Sequence, residues 1–328
     1  MRLVTFEVAT PLGKVRRLGL WRSPDILDLN LAYRALLSAT EEPAFAVRLA
    51  DVVLPPDMLS WIQAGVRGRE AAHELEQRWL RGKLQYEFDE LKIVFDEREV
   101  KLLAPLPRPN TIRDFSTYEQ HQQRVTRAKG NNEVPAVWYQ MPVYWKANPE
   151  NTIGTDETIQ WPTYSQKLDY ELEYGIYIGK SGRDIPVDRA NEHIAGFTIF
   201  NDISARDQQA QEMVMTFGPA KGKDFDTAKV FGPCLVTPDE FGEEPHSMVA
   251  RVNGEEWSRG STAGMHWSFA QLIAYISKFE TLYPGDFLGS GACPTGCGLE
   301  LNRWVSPGDI IELEVEGIGI LRNQFSKD

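Results

Sequence analysis

The carboxylates of one short stretch are the first residues in this chain whose type and spacing suggest chemistry. In Leu168-Asp169-Tyr170-Glu171-Leu172-Glu173-Tyr174-Gly175-Ile176-Tyr177-Ile178-Gly179, apolar residues occupy every second position, which is the period of a β-strand. On such a strand Leu168, Tyr170, Leu172, Tyr174, Ile176 and Ile178 share one face, and Asp169, Glu171 and Glu173 share the other. Three like charges on one face of an apolar strand repel one another and lose hydration. A bound divalent cation is the simplest partner that offsets both effects. The alternative is a half-exposed strand with a solvated acidic face.

Four further groups carry reactive side chains. The apolar run Gly196-Phe197-Thr198-Ile199-Phe200-Asn201-Asp202 ends in a carboxylate, which is either offered to a cleft or caps a turn. His121, one of five histidines, follows Asp114 by seven residues, about two turns if the segment is helical. Gly218 to Thr227 holds Lys221 and Lys223 in a Gly-rich loop. It could bind a carboxylate or phosphate but lacks the strand-loop-helix spacing of a P-loop. Gly289 to Glu300 is also rich in glycine and can bring backbone close to a ligand. Its Cys293 and Cys297 have no Cys or His partner nearby in sequence, so they read as buried free thiols rather than a zinc or redox pair.

The elements that must position these groups fall into two blocks. The chain has 328 residues, 42% hydrophobic and 25% charged, enough for one large domain and a smaller one. Residues 1–105 read as the smaller: a hairpin from Met1 to Trp21, helices over 26–37, 57–62 and 67–80, and strands over 91–95 and 100–103. Ala104-Pro105-Leu106-Pro107-Arg108-Pro109-Asn110 follows. Its prolines fit neither a helix nor a central strand and mark the boundary to 106–328. There the spacing predicts helices over 112–129, 188–194, 205–215 and 267–279, and an extended aromatic stretch over 138–145. Strands are expected over 168–179, 196–202, 230–237 and 248–252, with a turn at Asn253-Gly254 and a final strand over 310–315. Many short strands with few helices point to a β-rich α+β fold.

Composition narrows the partners. A net charge of -12 sets the chain against nucleic acid and anionic membranes. A local metal and a few basic residues can still attract a small anionic substrate. No apolar run approaches the roughly 20 residues of a spanning helix. The first eight residues read as a strand rather than a signal peptide, and the three cysteines suit a reducing compartment. A cytoplasmic location is expected.

Taken together and in order, four segments resemble the fumarylacetoacetate hydrolase superfamily over about 105–328. They are Arg113-Asp114-Phe115 with His121, Asp169-Tyr170-Glu171-Leu172-Glu173, Phe200-Asn201-Asp202-Ile203-Ser204-Ala205-Arg206-Asp207, and Lys221-Gly222-Lys223-Asp224-Phe225-Asp226-Thr227. The resemblance implies a mixed β-sandwich or β-roll, a homodimer, and Mg²⁺ (or Ca²⁺ or Mn²⁺) in the site. For 1–105 it is positional only and implies an SH3-like barrel. It further implies that Asp114, Glu171, Glu173 and Asp202 are the metal carboxylates. His121 would be the general base, oriented by Glu300, and Lys223, Arg206, Gln209 and Thr227 would contact substrate or oxyanion, leaving Asp169 a supporting role.

The chain departs from the family pattern at several positions. Ser116 stands where the namesake enzyme has a substrate-contacting tyrosine, and Ala292 replaces a threonine. Pro142 to Lys146, with Tyr144, matches the aromatic substrate loop loosely, and the arginine after the catalytic histidine is either Arg124 or Arg127. The implied reaction is hydrolytic cleavage of a C–C bond in a 1,3-dicarbonyl acid, fumarylacetoacetate- or acylpyruvate-like, in aromatic or related catabolism. The alternatives are a hydratase, decarboxylase or isomerase acting on a 2-oxo acid through a metal enolate, and a metal-stabilised binding protein.

Overall fold

The computed structural model describes residues 1–128, 130–215 and 217–327. Its architecture is strand-rich α+β, built on two sheets. The larger has 12 strands, and its main path runs Val94–Asp96, Asp25–Asp28, Gly13–Arg22, Arg2–Thr10, Lys229–Val236, Ile194–Asp202, Leu172–Ile178, Asp286–Gly289, Thr111–Phe115 and Tyr144–Ala147. The smaller runs Thr158–Gln160, Gly319–Ser326, Ile310–Val315, Ser247–Val252 and Glu255–Ser261.

The pleat sends alternate side chains of the larger sheet to two cores. Leu172, Tyr174, Ile176 and Ile199 pack in one cluster with Met248, Ala250, Leu313 and Phe325 of the smaller sheet. On the opposite face Tyr177, Phe200, Phe231 and Phe287 join a cluster with Leu3, Leu20, Trp61 and Leu75. The last two belong to the helix Met58–Leu80. The central strands are therefore covered on both faces, and Leu172–Ile178 is buried along its whole length. That rules out a solvated acidic face.

Local chemistry explains several element boundaries. The helix Leu29–Leu37 starts at Asp28, whose carboxylate accepts the Leu31 N–H, an N-cap that satisfies one orphan donor. Ser268 and Gln271 form a capping box at the start of Phe269–Ile276, so that helix is shorter than the pattern over 267–279 suggests.

Other expectations are corrected. The alternating stretch 168–179 is not one strand. Leu168–Asp169 pairs with Ser204–Ala205, the ladder breaks at Tyr170, Glu171 makes an isolated bridge with Cys297, and Leu172–Ile178 then enters the large sheet. At this break the Glu171 N–H donates to Asn201 Oδ1 at 3.0 Å, so a side chain takes the place of a strand partner on that side. The helix expected over 112–129 splits into the strand Thr111–Phe115 and the helix Glu119–Ala128. Parallel pairing with Asp286–Gly289 holds the first part extended. Val137–Gln140 is a helical turn, and Gly319–Ser326 follows the strand expected to be last. Across the proline-rich stretch the large sheet is continuous, because Arg2 and Leu3 pair with Val236 and Leu235. Among the described residues no helix is long and apolar enough to cross a membrane.

Candidate active site

Three strands end in carboxylates on one face of the large sheet. Asp114 follows Ile112, Glu173 precedes Tyr177, and Asp202 follows Phe200, each on the face turned away from the smaller sheet. Glu171 reaches the same point from its isolated bridge with Cys297. All four are buried, and one oxygen from each lies within 4.8 Å of the others. Gly289 makes the room: a Cβ there would sit 2.6 Å from Asp114 Oδ1 and 3.3 Å from Glu173 Oε2.

Cations surround part of this cluster. Lys223 Nζ donates to Glu171 Oε2 at 2.7 Å and also to Asp202. Lys229 Nζ donates to Asp202 and, at 2.7 Å, to the Lys223 carbonyl. Arg206 pairs with Glu171 and Asp169, both at 2.7 Å, and donates to Gln209 Oε1 at 3.0 Å. The Trp145 indole N–H donates to Asp114 Oδ2, and the Gly291 N–H donates to Glu173 Oε2, each at 3.0 Å. Asp114 Oδ1 and Glu173 Oε1 remain buried without a partner. Buried polar atoms are nearly always satisfied. Two orphaned oxygens within an all-carboxylate set fit a hard divalent cation of the Mg²⁺, Ca²⁺ or Mn²⁺ type.

The electrostatics agree with that fit. Burial, with the Asp202 charge beside it, pushes Asp114 up to about 7. Burial and the Asp114 charge push Glu173 well above the carboxylate range. Burial opposes ionisation of Glu171 too, but Lys223 and Arg206 hold it below its ordinary value. Glu173 thus retains a proton, and Asp114 a share of one near neutral pH, that a cation would displace.

A second constellation adjoins the first. His121, on the helix Glu119–Ala128, places Nδ1 2.7 Å from Glu300 Oε1. The other Glu300 oxygen accepts from the Thr295 N–H at 3.1 Å and from Arg124 at 3.4 Å, so Arg124 is the arginine that reaches this pair. Glu300 lies in the single turn Gly298–Leu301. The first two N–H groups of that turn, of Gly298 and Leu299, donate to Asp169 at 2.7 and 3.0 Å. Asp169 therefore ties the His121–Glu300 pair to Arg206 and through it to the carboxylates. Cys297, from which the turn starts, is buried, with Sγ 3.7 Å from Glu300 Oε1.

Both constellations face a cleft of about 1140 Å³, lined by Asp114, Ser116, His121, Tyr144, Glu171, Glu173, Arg206, Gln209 and Lys223. Asp202 lies beneath Lys223 and Glu300 behind His121. Ser116 Oγ accepts from Gln122, which anchors the start of the helix Glu119–Ala128. Thr227, expected at the substrate, does not line the cleft. Its hydroxyl accepts the Gln160 N–H at 2.8 Å and supports the strand Thr158–Gln160. Sequence reasoning missed Lys229, and it named the segments that hold Trp145, Asn201 and Gly289 without giving those residues a role. One signal was present for Lys229: it opens the otherwise apolar strand Lys229–Val236.

A buried four-carboxylate cluster at the strand ends of a two-sheet fold, next to a carboxylate-held histidine, is the arrangement that defines this site. The chain belongs to the fumarylacetoacetate hydrolase family, whose C-terminal model matches residues 110–326. Over 329 residues it is 32% identical to oxaloacetate tautomerase FAHD2A, mitochondrial, of Homo sapiens, covering 99% of this chain and 91% of that one. The solved fumarylacetoacetate hydrolase of Exiguobacterium antarcticum superposes with a TM-score of 0.70 at 26% identity, over 99% of this chain and 100% of that one. A Sphingobium maleylpyruvate hydrolase, solved with manganese(II) and pyruvate, shares the fold at 22% identity and a TM-score of 0.69, over 100% of this chain and 99% of that one.

Proposed function

We propose that the protein is a divalent-metal-dependent enzyme that interconverts the keto and enol forms of an oxaloacetate-like 2-oxo acid. The observation that carries this reading is the His121–Glu300 pair beside a cleft lined by Asp114, Glu171 and Glu173 of the four-carboxylate cluster. The full-length likeness to a protein named as an oxaloacetate tautomerase supports tautomerisation over the hydrolysis implied by the sequence motifs.

Asp114, Glu171, Glu173 and Asp202 would hold the cation, which when bound polarises the 2-oxo group and so acidifies the neighbouring carbon. Glu300 accepts the Nδ1 proton of His121, which fixes the tautomer and leaves Nε2 with the free lone pair. His121 Nε2 takes a proton from that carbon and returns it to the oxo oxygen, and the same steps run in reverse. Lys223 is buried, but Asp202 and Glu171 hold its ammonium above the ordinary lysine range. It therefore stays charged and offers a fixed donor to the oxygen on which charge develops.

A second reading, hydrolytic C–C cleavage of an acylpyruvate-like acid, is favoured by the size of the cleft. Sites of about 300–1,000 Å³ already take drug-sized ligands, so 1140 Å³ leaves ample space for an acyl group and a water. In that case His121 would activate water, and Lys223 with Gln209 would stabilise the tetrahedral oxyanion. One experiment separates the readings. Protein loaded with Mg²⁺ or Mn²⁺ is given oxaloacetate, followed by loss of enol absorbance, and in parallel an acylpyruvate, followed by pyruvate release. Tautomerisation predicts faster enol loss with no pyruvate. Pyruvate release from the acylpyruvate favours hydrolysis, and metal-dependent turnover of neither favours a binding protein.

A further inference from the structure

Cys297 is left idle by the proton-transfer reading, although it stands against the catalytic pair. Its Sγ lies 3.7 Å from Glu300 Oε1, and His121 Nδ1 lies 2.7 Å from the same oxygen. One donor atom from each of the three residues falls within 4.8 Å of the others. The fold thus supplies the partners that the local sequence around the cysteines lacks. We propose that His121, Cys297 and Glu300 form a second, softer metal site that takes Zn²⁺, and that zinc bound there switches the His121 base off.

The donor chemistry separates this site from the carboxylate cluster. An imidazole nitrogen, a thiolate and a carboxylate are the mixed set that zinc accepts, whereas four carboxylates suit a hard cation. Zinc binding displaces to solvent the thiol proton that Cys297 gives to Glu300, and the resulting thiolate and the carboxylate together neutralise the charge of Zn²⁺. With Zn–S of about 2.3 Å and Zn–N and Zn–O of about 2.0–2.1 Å, a tetrahedral site has an S···O edge of about 3.6 Å and an N···O edge of about 3.4 Å. The Cys297–Glu300 edge of 3.7 Å already has this length. The His121–Glu300 edge of 2.7 Å has to open by about 0.7 Å, which removes the hydrogen bond of the pair. Glu300 is held for the purpose, since its other oxygen is fixed by the Thr295 N–H and Arg124. His121 lines the cleft, so a fourth position is open to water, as in zinc sites with three protein ligands.

The switch follows from the imidazole itself. A neutral ring has one N–H and one lone pair. Once Nδ1 gives its lone pair to zinc, the proton resides on Nε2, and that nitrogen can no longer accept another. Occupation of the site therefore needs no steric block to stop proton transfer. The switching half of the inference rests on the proposed function, and the binding half stands without it.

The test uses Cd²⁺ as a probe on Mg²⁺-saturated protein, because a cadmium–thiolate bond gives an ultraviolet charge-transfer band and oxygen ligands give none. The band should saturate at one equivalent of Cd²⁺, be lost in Cys297→Ser and Cys297→Val, and persist in Cys293→Ser and Asp202→Asn. Zn²⁺ added over excess Mg²⁺ should inhibit turnover, with an inhibition constant about tenfold or more higher in Cys297→Val. No band in the wild type, or an equal band in Cys297→Val, overturns the site. A band without zinc inhibition of an active enzyme overturns the switch. The band is read without turnover, so failure of the tautomerase reading leaves the site itself decided.

Discussion

The orphaned oxygen of Asp114 makes a quantitative prediction about the metal-free protein. Burial and the neighbouring Asp202 push this carboxyl up to about 7 in the folded chain, against about 3.9 when unfolded. The folded state thus binds the proton more tightly, and the stability this group contributes is full below its unfolded value and is lost as pH rises through 7. Between pH 5 and pH 8 the loss amounts to about 2.5 kcal/mol. Asp114→Asn cannot ionise, so its metal-free form should gain on the wild type by that amount over the same interval. Saturating Mg²⁺ or Mn²⁺ should restore the wild type by about 2.7 kcal/mol at a hundred times the dissociation constant, and should do little for the variant. Urea unfolding in chelator at pH 5, 6.5 and 8, repeated with metal, measures both effects. Parallel pH curves for wild type and Asp114→Asn in chelator would refute the reasoning, because they would place the Asp114 titration at an ordinary carboxylate value.

Other outcomes follow from the same geometry. His121→Ala should lower kcat by roughly 100-fold or more while leaving metal-induced stabilisation intact, read by thermal melts with and without Mn²⁺. Gly289→Ala brings a Cβ to 2.6 Å from Asp114 Oδ1 and should weaken Mn²⁺ binding by about 10- to 100-fold, measured by calorimetric titration. Lys229→Met removes one of the two ammonium groups on buried Asp202 and should destabilise the fold by about 3 kcal/mol, seen as a lower urea midpoint with an unchanged slope.

The residues of the site were legible as an ordered set of motifs, and the elements that gather them only in part. Alternation along 168–179 grouped Asp169 with Glu171 and Glu173, yet the strand pairing changes between them. The N–H groups that hold Asp169 belong to Gly298 and Leu299, far away in sequence. The segment around Asp114 has no helix breaker and reads as helical. It is extended because Thr111–Phe115 pairs in parallel with Asp286–Gly289, and strand preference is decided by such neighbours rather than locally. Cys297 was read as an inert thiol for want of a nearby histidine, and the packing of the helix Glu119–Ala128 against the turn Gly298–Leu301 supplies one. The strands whose two faces are both covered, such as Lys229–Val236, were the easiest to place, because their sequence is apolar at nearly every position.

The continuity of the large sheet across the proline-rich stretch also sets a schedule for synthesis. Arg2–Thr10 finds its hairpin partner Gly13–Arg22 at once, and on its other edge Phe6 and Glu7 pair with Leu102 and Lys101. The partner of Arg2 and Leu3, Lys229–Val236, leaves the ribosome about 230 residues later, roughly 10–50 s at ordinary elongation rates. During that interval the Arg2–Leu3 end of that edge is an open template for a neighbouring nascent chain. Leu3 is fully buried in the finished fold, so this end of the strand needs protection until the last third of the chain arrives.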